Sequence, residues 1–178
     1  MNIFVLDQNP ILAAQLQCDK HVVKMIVETA QMLSTAHRIL DGEQYIDNSS
    51  GRRIKRWRHD SLDDSLYKAS HVNHPCNVWL RESSLNYEWL YNHFVALCSE
   101  YNLRYNKMHE TSRKLRNILG THPKNLRQGS LTPFALAMPD EYRSDDVVQS
   151  YRRYYNSKQS AFKMKWTVRK PPDWVNIE

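Results

Sequence analysis

The stretch from Ile11 to Gly42, ILAAQLQCDKHVVKMIVETAQMLSTAHRILDG, decides the fold class. Within it Val22, Val23, Ile26, Ala30, Leu33 and Ala36 recur at helical spacing, which gives a helix one buried face. The pattern predicts one long helix over about 11–40, ended by Gly42, with Asn9 as N-cap and Pro10 at the first helical position. Ahead of it, Ile3–Leu6 reads as a short extended apolar segment. A second periodic run, Trp79, Leu85, Trp89, Leu90, Phe94, Leu97, Cys98 and Tyr101, predicts another long helix from Pro75 to about 107. Shorter helical pieces are expected over 109–119 and after Ser144, where Asp145 and Asp146 suit a helix N-terminus. In that last helix Val147, Val148, Tyr151 and Tyr155 are expected to point inward. Residues 131–142 read as a short helix or docking loop, and Pro171-Pro172 as part of an extended strap. Residues 41–70 are polar and weakly periodic, and read as a loop or partly ordered excursion. The expectation is a mainly α, compact single-domain fold over 1–178, with two long helices and an extended C-terminal tail.

Composition narrows the class. With 41% hydrophobic and 25% charged residues, the 178-residue chain can bury a core without staples. Mean hydropathy of −0.70 and the lack of any long apolar run predict no membrane span. The start, MNIFVLDQNP, shows no signal-peptide pattern. Cys18, Cys76 and Cys98 are odd in number and unrelated in spacing, which reads as reduced thiols in a cytoplasmic protein. No GxGxxG and no GxxxxGK[ST] is present, which disfavours kinases, ATPases and dinucleotide enzymes.

The net charge of +6 is unevenly spread. Arg52, Arg53, Lys55, Arg56 and Arg58 crowd seven positions; further blocks span 104–127 and 152–170. Together these hold 19 of the 25 basic residues and one of the 19 acids, Glu110. Such segregation points to a polyanion, most simply nucleic acid held through its phosphates. Solvated helix faces would give the same pattern without a partner.

The first helix also carries a polar stripe: His21, Lys24, Glu28, Gln31, Thr35 and Arg38, at steps of three or four. A carboxylate one turn after a lysine can serve as acid, base or cation stabiliser. From spacing alone a solvated Lys24–Glu28 ion pair is the simpler reading. His71, His74 and Cys76 cluster before the second helix, but neither a CxxC nor an HExxH motif accompanies them. Capping of amides or contact with phosphate suits these histidines better than zinc, so no metal and no cofactor is expected.

Taken in order, CDKHVVKMIVETAQML, HVNHPCNVW and MPDEYR resemble a set of small phage and bacterial proteins over most of the chain. More distantly, the same order resembles the pyrimidine-dimer DNA glycosylase (phage endonuclease V-like) superfamily. Asp19-Lys20-His21 followed by Glu28 matches the family spacing of an aspartate-x-histidine and the catalytic glutamate. Asn73-His74-Pro75 with Trp79 matches a bacterial branch, and Tyr151-Arg152-Arg153-Tyr154-Tyr155 is similar to the aromatic-basic C-terminal segment.

The resemblance implies a compact helical enzyme acting on duplex DNA with a damaged or modified base. It implies glycosyl-bond cleavage followed by β-elimination, through an amine Schiff base and without metal. In the family that amine is exposed by removal of Met1; here Asn2 is too large for removal to be expected, so the Met1 α-amine takes the role, with Lys20 or Lys24 next in line. Catalytic candidates are therefore Met1, His21, Lys24 and Glu28. Nucleic-acid contacts are expected from Lys20, Gln31, Arg38, His74, Arg113, Lys114, Arg152 and Arg153. Family arginines beside the glutamate are here Val27 and Gln31. A monomer in the cytoplasm (of the host, if phage-encoded) is the expected state. A non-catalytic nucleic-acid or nucleotide binder, or another base-modifying enzyme on the same scaffold, is the alternative.

Overall fold

The computed structural model describes residues 1–176. Residues 3–6 are all buried and thread through the core without forming a strand. Asn9 then caps α1 (Pro10–Gln15), its side chain accepting from the Ile11 and Leu12 amides, with Pro10 at the first position as the sequence predicts. Helix α2 (Asp19–Asp41) is the central element, and Gly42 ends it.

The predicted first helix is broken over Leu16–Cys18, where the sequence has neither Gly nor Pro. Tertiary contacts compensate the break. The Arg104 guanidinium donates to the carbonyls of Gln15 and Gln17, and the Cys18 amide donates to the Tyr155 hydroxyl. The second predicted helix is likewise two: α3 (Pro75–Leu80) and α4 (Ser84–Tyr105). Ser83 caps α4 through the Asn86 amide, and Asn106 ends it with φ of 52°.

Residues 41–70 correct the loop expectation. They contain an antiparallel hairpin, β1 (Glu43–Asp47) and β2 (Ile54–Arg58), in register from Glu43 opposite Arg58 to Asp47 opposite Ile54. Helix α5 (Glu110–Leu119) falls where expected. Residues 131–138 are irregular, and a 3-10 turn covers Asp140–Tyr142. Asp146, rather than Ser144, caps α6 (Val147–Asn156), because its carboxylate accepts from the Val148 and Gln149 amides.

The core lies where α2 packs on α4, α3 and α5, and α1 on α4. Trp79, Tyr87, Phe94, Tyr151 and Tyr155 fill it, and the fold is compact and mainly α. Leu85, placed on the apolar stripe by sequence, is exposed. None of the described helices is long and apolar enough to cross a membrane.

Candidate active site

Glu28 sits in the N-terminal half of α2, one turn after Lys24. Its side chain is 15% exposed, and Lys24, 63% exposed, places Nζ 3.3 Å from Oε1. The other oxygen faces the beginning of the chain. The Met1 ammonium lies 3.7 Å from Oε2, and the Asn2 backbone N–H donates to that oxygen at 3.1 Å. One carboxylate thus meets a lysine, an α-amine and a backbone amide.

Packing of residues 2–6 brings the terminus there. Asn2 Oδ1 accepts from the Ile3 and Phe4 amides at 2.7 and 3.1 Å, while its Nδ2 donates to the Ala137 carbonyl at 2.7 Å. Phe4 adopts a φ of 45°, in the left-handed region that costs a non-glycine residue about 1–3 kcal/mol. Its ring is held between His21, Tyr154 and Tyr155. The Met1 side chain is only 2% exposed. Asn77 Nδ2 reaches its sulfur at 3.4 Å, and the Ser70 and His71 carbonyls at 3.0 Å each.

His74 joins the same group. Its Nδ1 accepts the Cys76 amide at 3.2 Å, which leaves the ring proton on Nε2. Burial first, then the Met1 ammonium and His71, hold its pKa below the ordinary value, with Glu28 pulling the other way. Met1, Lys24, Glu28 and His74 therefore form one electrostatically linked site at one end of the stripe.

Rings and cations pack around the neighbouring Phe4 and His21. Lys20 Nζ lies 5.0 Å from the Phe162 ring, and Lys158 Nζ 3.7 Å from the Tyr154 ring. Tyr142 packs on Tyr154. Gln31, half-buried, follows Glu28 along α2, and Arg153 is exposed on α6.

Other predicted residues have different surroundings. His21 is buried among Phe4, Tyr155 and Phe162, and burial, then Lys24 and Lys158, lower its pKa to about 4. It is a neutral core ring, not a cation at the surface. Arg38, 4% exposed, spends its guanidinium on Asp63 and on the carbonyls of Trp57, Asp63, Leu66 and Tyr67. It is unavailable to a phosphate. Arg152 donates to the Leu6 carbonyl and stacks over Trp174. Arg113 and Lys114 both pair with Glu110 on the exposed side of α5. Two further cations of the basic blocks, Arg104 and Arg169, are locked onto Glu100. The spacing reading missed Asn2 and Asn77, whose roles depend on contacts with no periodic signature.

Metal ligation and thiol chemistry find little support in the geometry. His71, exposed, and Cys76, buried with its thiol pushed up to about 12 by burial, do not converge with His74. Cys98 is also raised, to about 11, and Cys18 is raised, both chiefly by burial. Among the described residues, one group brings ligand atoms within 4.8 Å of one another: His37, Asp41 and His59. There His59 Nδ1 accepts the Ser61 and Leu62 amides and His37 Nε2 bonds Tyr87, which occupies one nitrogen of each ring.

Comparison with known proteins fits this geometry. A family model described as pyrimidine dimer DNA glycosylase matches residues 1–113. No curated protein and no solved structure matches the chain. The matched span covers well over half of the 178 residues and contains Met1, Lys24, Glu28 and His74. The chain belongs to the pyrimidine dimer DNA glycosylase family.

Proposed function

We propose that this member of the family excises a damaged or modified base from duplex DNA through a Schiff base on the Met1 α-amine, with Glu28 as the partner carboxylate. The observation that carries the reading is the Met1 nitrogen 3.7 Å from Glu28 Oε2, beside Lys24. α-Amines as a class are weaker bases than lysine side chains, which favours the α-amine as the nucleophile.

The neutral amine attacks the sugar C1′ of a nucleotide drawn out of the stack. The C1′–N glycosidic bond breaks, and the base leaves with its electron pair and is protonated. Glu28 stabilises the positive charge that develops on the sugar. An amine proton passes to O4′ as the C1′–O4′ bond opens, which gives the iminium and a free 4′-hydroxyl. Glu28 then accepts a proton from C2′, the 3′ phosphate departs by β-elimination, and water releases the enzyme. Neutral His74, with its proton on Nε2, is a donor to the base or a phosphate. Gln31, Lys20, Lys24 and Arg153 contact the strand around it, and Arg113 and Lys114 add to the phosphate path once freed from Glu110. All of these groups come from one chain, so the reading needs no second copy, and a monomer is the proposed working unit.

Glu28→Gln keeps the shape of the site and removes the charge. Base release and strand cutting on dimer-containing duplex fall by roughly 10²–10⁴-fold, while duplex binding is retained. Unchanged turnover in this variant overturns the assignment of Glu28. Salt-sensitive binding by the unaltered protein, with neither base release nor cutting, makes it a binding protein instead.

A further inference from the structure

The hairpin of residues 43–58 has no place in the chemistry above. β1 is largely exposed and β2 half-buried, neither strand has a fully buried residue, and Tyr45 and Ile46 are 40% and 39% exposed. A two-stranded hairpin with so little core of its own is marginal in isolation. Yet its base is fixed firmly. Arg38 donates to the Trp57 carbonyl at 2.8 Å and also binds the following segment at Asp63, Leu66 and Tyr67. Gly42 passes so close that a Cβ there would lie 2.5 Å from the Arg38 carbonyl oxygen and 2.7 Å from that of Arg58. The fold thus holds an exposed ribbon in a set orientation.

The direction is informative. Lys24, Glu28, Gln31, Thr35 and Arg38 mark one side of α2. Its second half is covered by the chain after β2, with Thr35 Oγ1 accepting the Ser70 amide and Arg38 gripping residues 57–67. The base of the hairpin therefore lies on the side of α2 that carries Thr35 and Arg38, the stripe to which Glu28 belongs. That base is about 20 Å along the helix from the Glu28 carboxylate, at 1.5 Å per residue. Five-residue strands place the tip ~17 Å from that base.

Charge concentrates at the far end. Arg56 pairs with Asp47, and Arg58 lies over the Tyr45 ring. Arg52, Arg53 and Lys55 are exposed and have no ion-pair partner among the described residues. The acids Asp60, Asp63 and Asp64 sit after β2, past the base of the ribbon. A two-stranded ribbon fits a duplex groove, and arginines at its tip suit the flanking phosphates.

We infer that this hairpin is a second DNA contact, a wing whose tip residues Arg52, Arg53 and Lys55 grip the duplex several base pairs from the excised nucleotide. It rests on the proposed reading of Glu28 as the reacting end. The wing supplies sequence-independent affinity and register; the chemistry stays at Met1 and Glu28.

The test compares the protein with a triple variant, Arg52→Ser, Arg53→Ser and Lys55→Ser, whose thermal midpoint serves as the check on folding. Binding to duplexes carrying a central reduced abasic site is titrated against salt at two lengths, about 30 and about 8 base pairs. At ~0.9 per phosphate contact, the salt slope on the long duplex drops by about 2–3 in the variant, and on the short duplex it stays unchanged. Borohydride trapping on the short abasic duplex is the same for both proteins. An unchanged slope on the long duplex, or an equal loss at both lengths, overturns the wing. An equal or greater effect with an RNA duplex overturns its assignment to DNA. Trapping absent from both proteins with the slope falling as stated removes the chemistry and keeps the wing.

Discussion

At Glu28 a lysine, an α-amine and the Asn2 backbone N–H meet one carboxylate, and the last is the nearest, at 3.1 Å. Moving the start of the chain by one residue would therefore leave an amine in place. Asn2→Ala makes the second residue small enough for Met1 to be removed, and the α-amine of the alanine then occupies the position of the present amide. The expected outcome is a mass lower by one methionine, a borohydride-trappable adduct still formed, and stability lower by about 1–3 kcal/mol. That loss reflects the Ile3 and Phe4 amides left without the Asn2 oxygen. A folded, Met-free variant that traps nothing would tie the chemistry to Met1 itself. Spacing put Glu28 and Lys24 on one helical stripe, and the resemblance singled out Glu28 within it. The sequence could not reveal Asn2 or Asn77, since both act through contacts between distant segments: Asn2 with Ala137, and Asn77 with Met1. It also overvalued Arg38 and His21, because spacing places a residue on a face without saying what covers that face.

Among the elements, the cap at Asn9-Pro10, the end of α2 at Gly42 and the extent of α5 were legible from local residue chemistry. The break before α2 was not. It is held by the buried Arg104, which bonds Glu100, Asp19 and two backbone carbonyls, while Glu100 also takes Arg169. Arg104→Met removes the cation and leaves Asp19 without an ion-pair partner among the described residues, while Glu100 keeps Arg169 alone. Stability falls by about 3–5 kcal/mol, read from denaturant unfolding, because an uncompensated buried charge costs more than the pair contributes. A loss below about 1 kcal/mol would mean that the break persists without its clamp. The hairpin was hidden for a related reason: its strands have almost no buried face, so no two-residue alternation marks them.

For the whole molecule, buried histidines set the acid limit. His21, His37 and His93 are each lowered to about 4, chiefly by burial. His93 shows why: its Nδ1 bonds the Pro10 carbonyl and its Nε2 meets the Gln17 amide, an arrangement for the neutral ring. In the unfolded chain these rings take up protons near pH 6.5, whereas the fold resists protonation until about pH 4. Stability is fully present above ~6.5 and drains away as pH falls through 4, by at most about 3 kcal/mol for each ring. Thermal midpoints measured from pH 8 to 4 should fall most steeply below 6.5, and His93→Gln should flatten that slope. A pH-independent midpoint across this range would contradict the neutral-ring assignment.

Family membership places this chain among pyrimidine dimer DNA glycosylases, and the site joins the chain start to a carboxylate on α2. The most direct test is borohydride trapping on duplexes carrying a thymine dimer, an abasic site or no lesion, using the protein with its α-amine free or selectively blocked. The expected result is a covalent adduct on the lesion-bearing duplexes, lost on blocking, with sequencing of the adduct locating the sugar on Met1. An adduct that survives blocking and maps to Lys20 or Lys24, or no adduct from folded, DNA-binding protein, would contradict it.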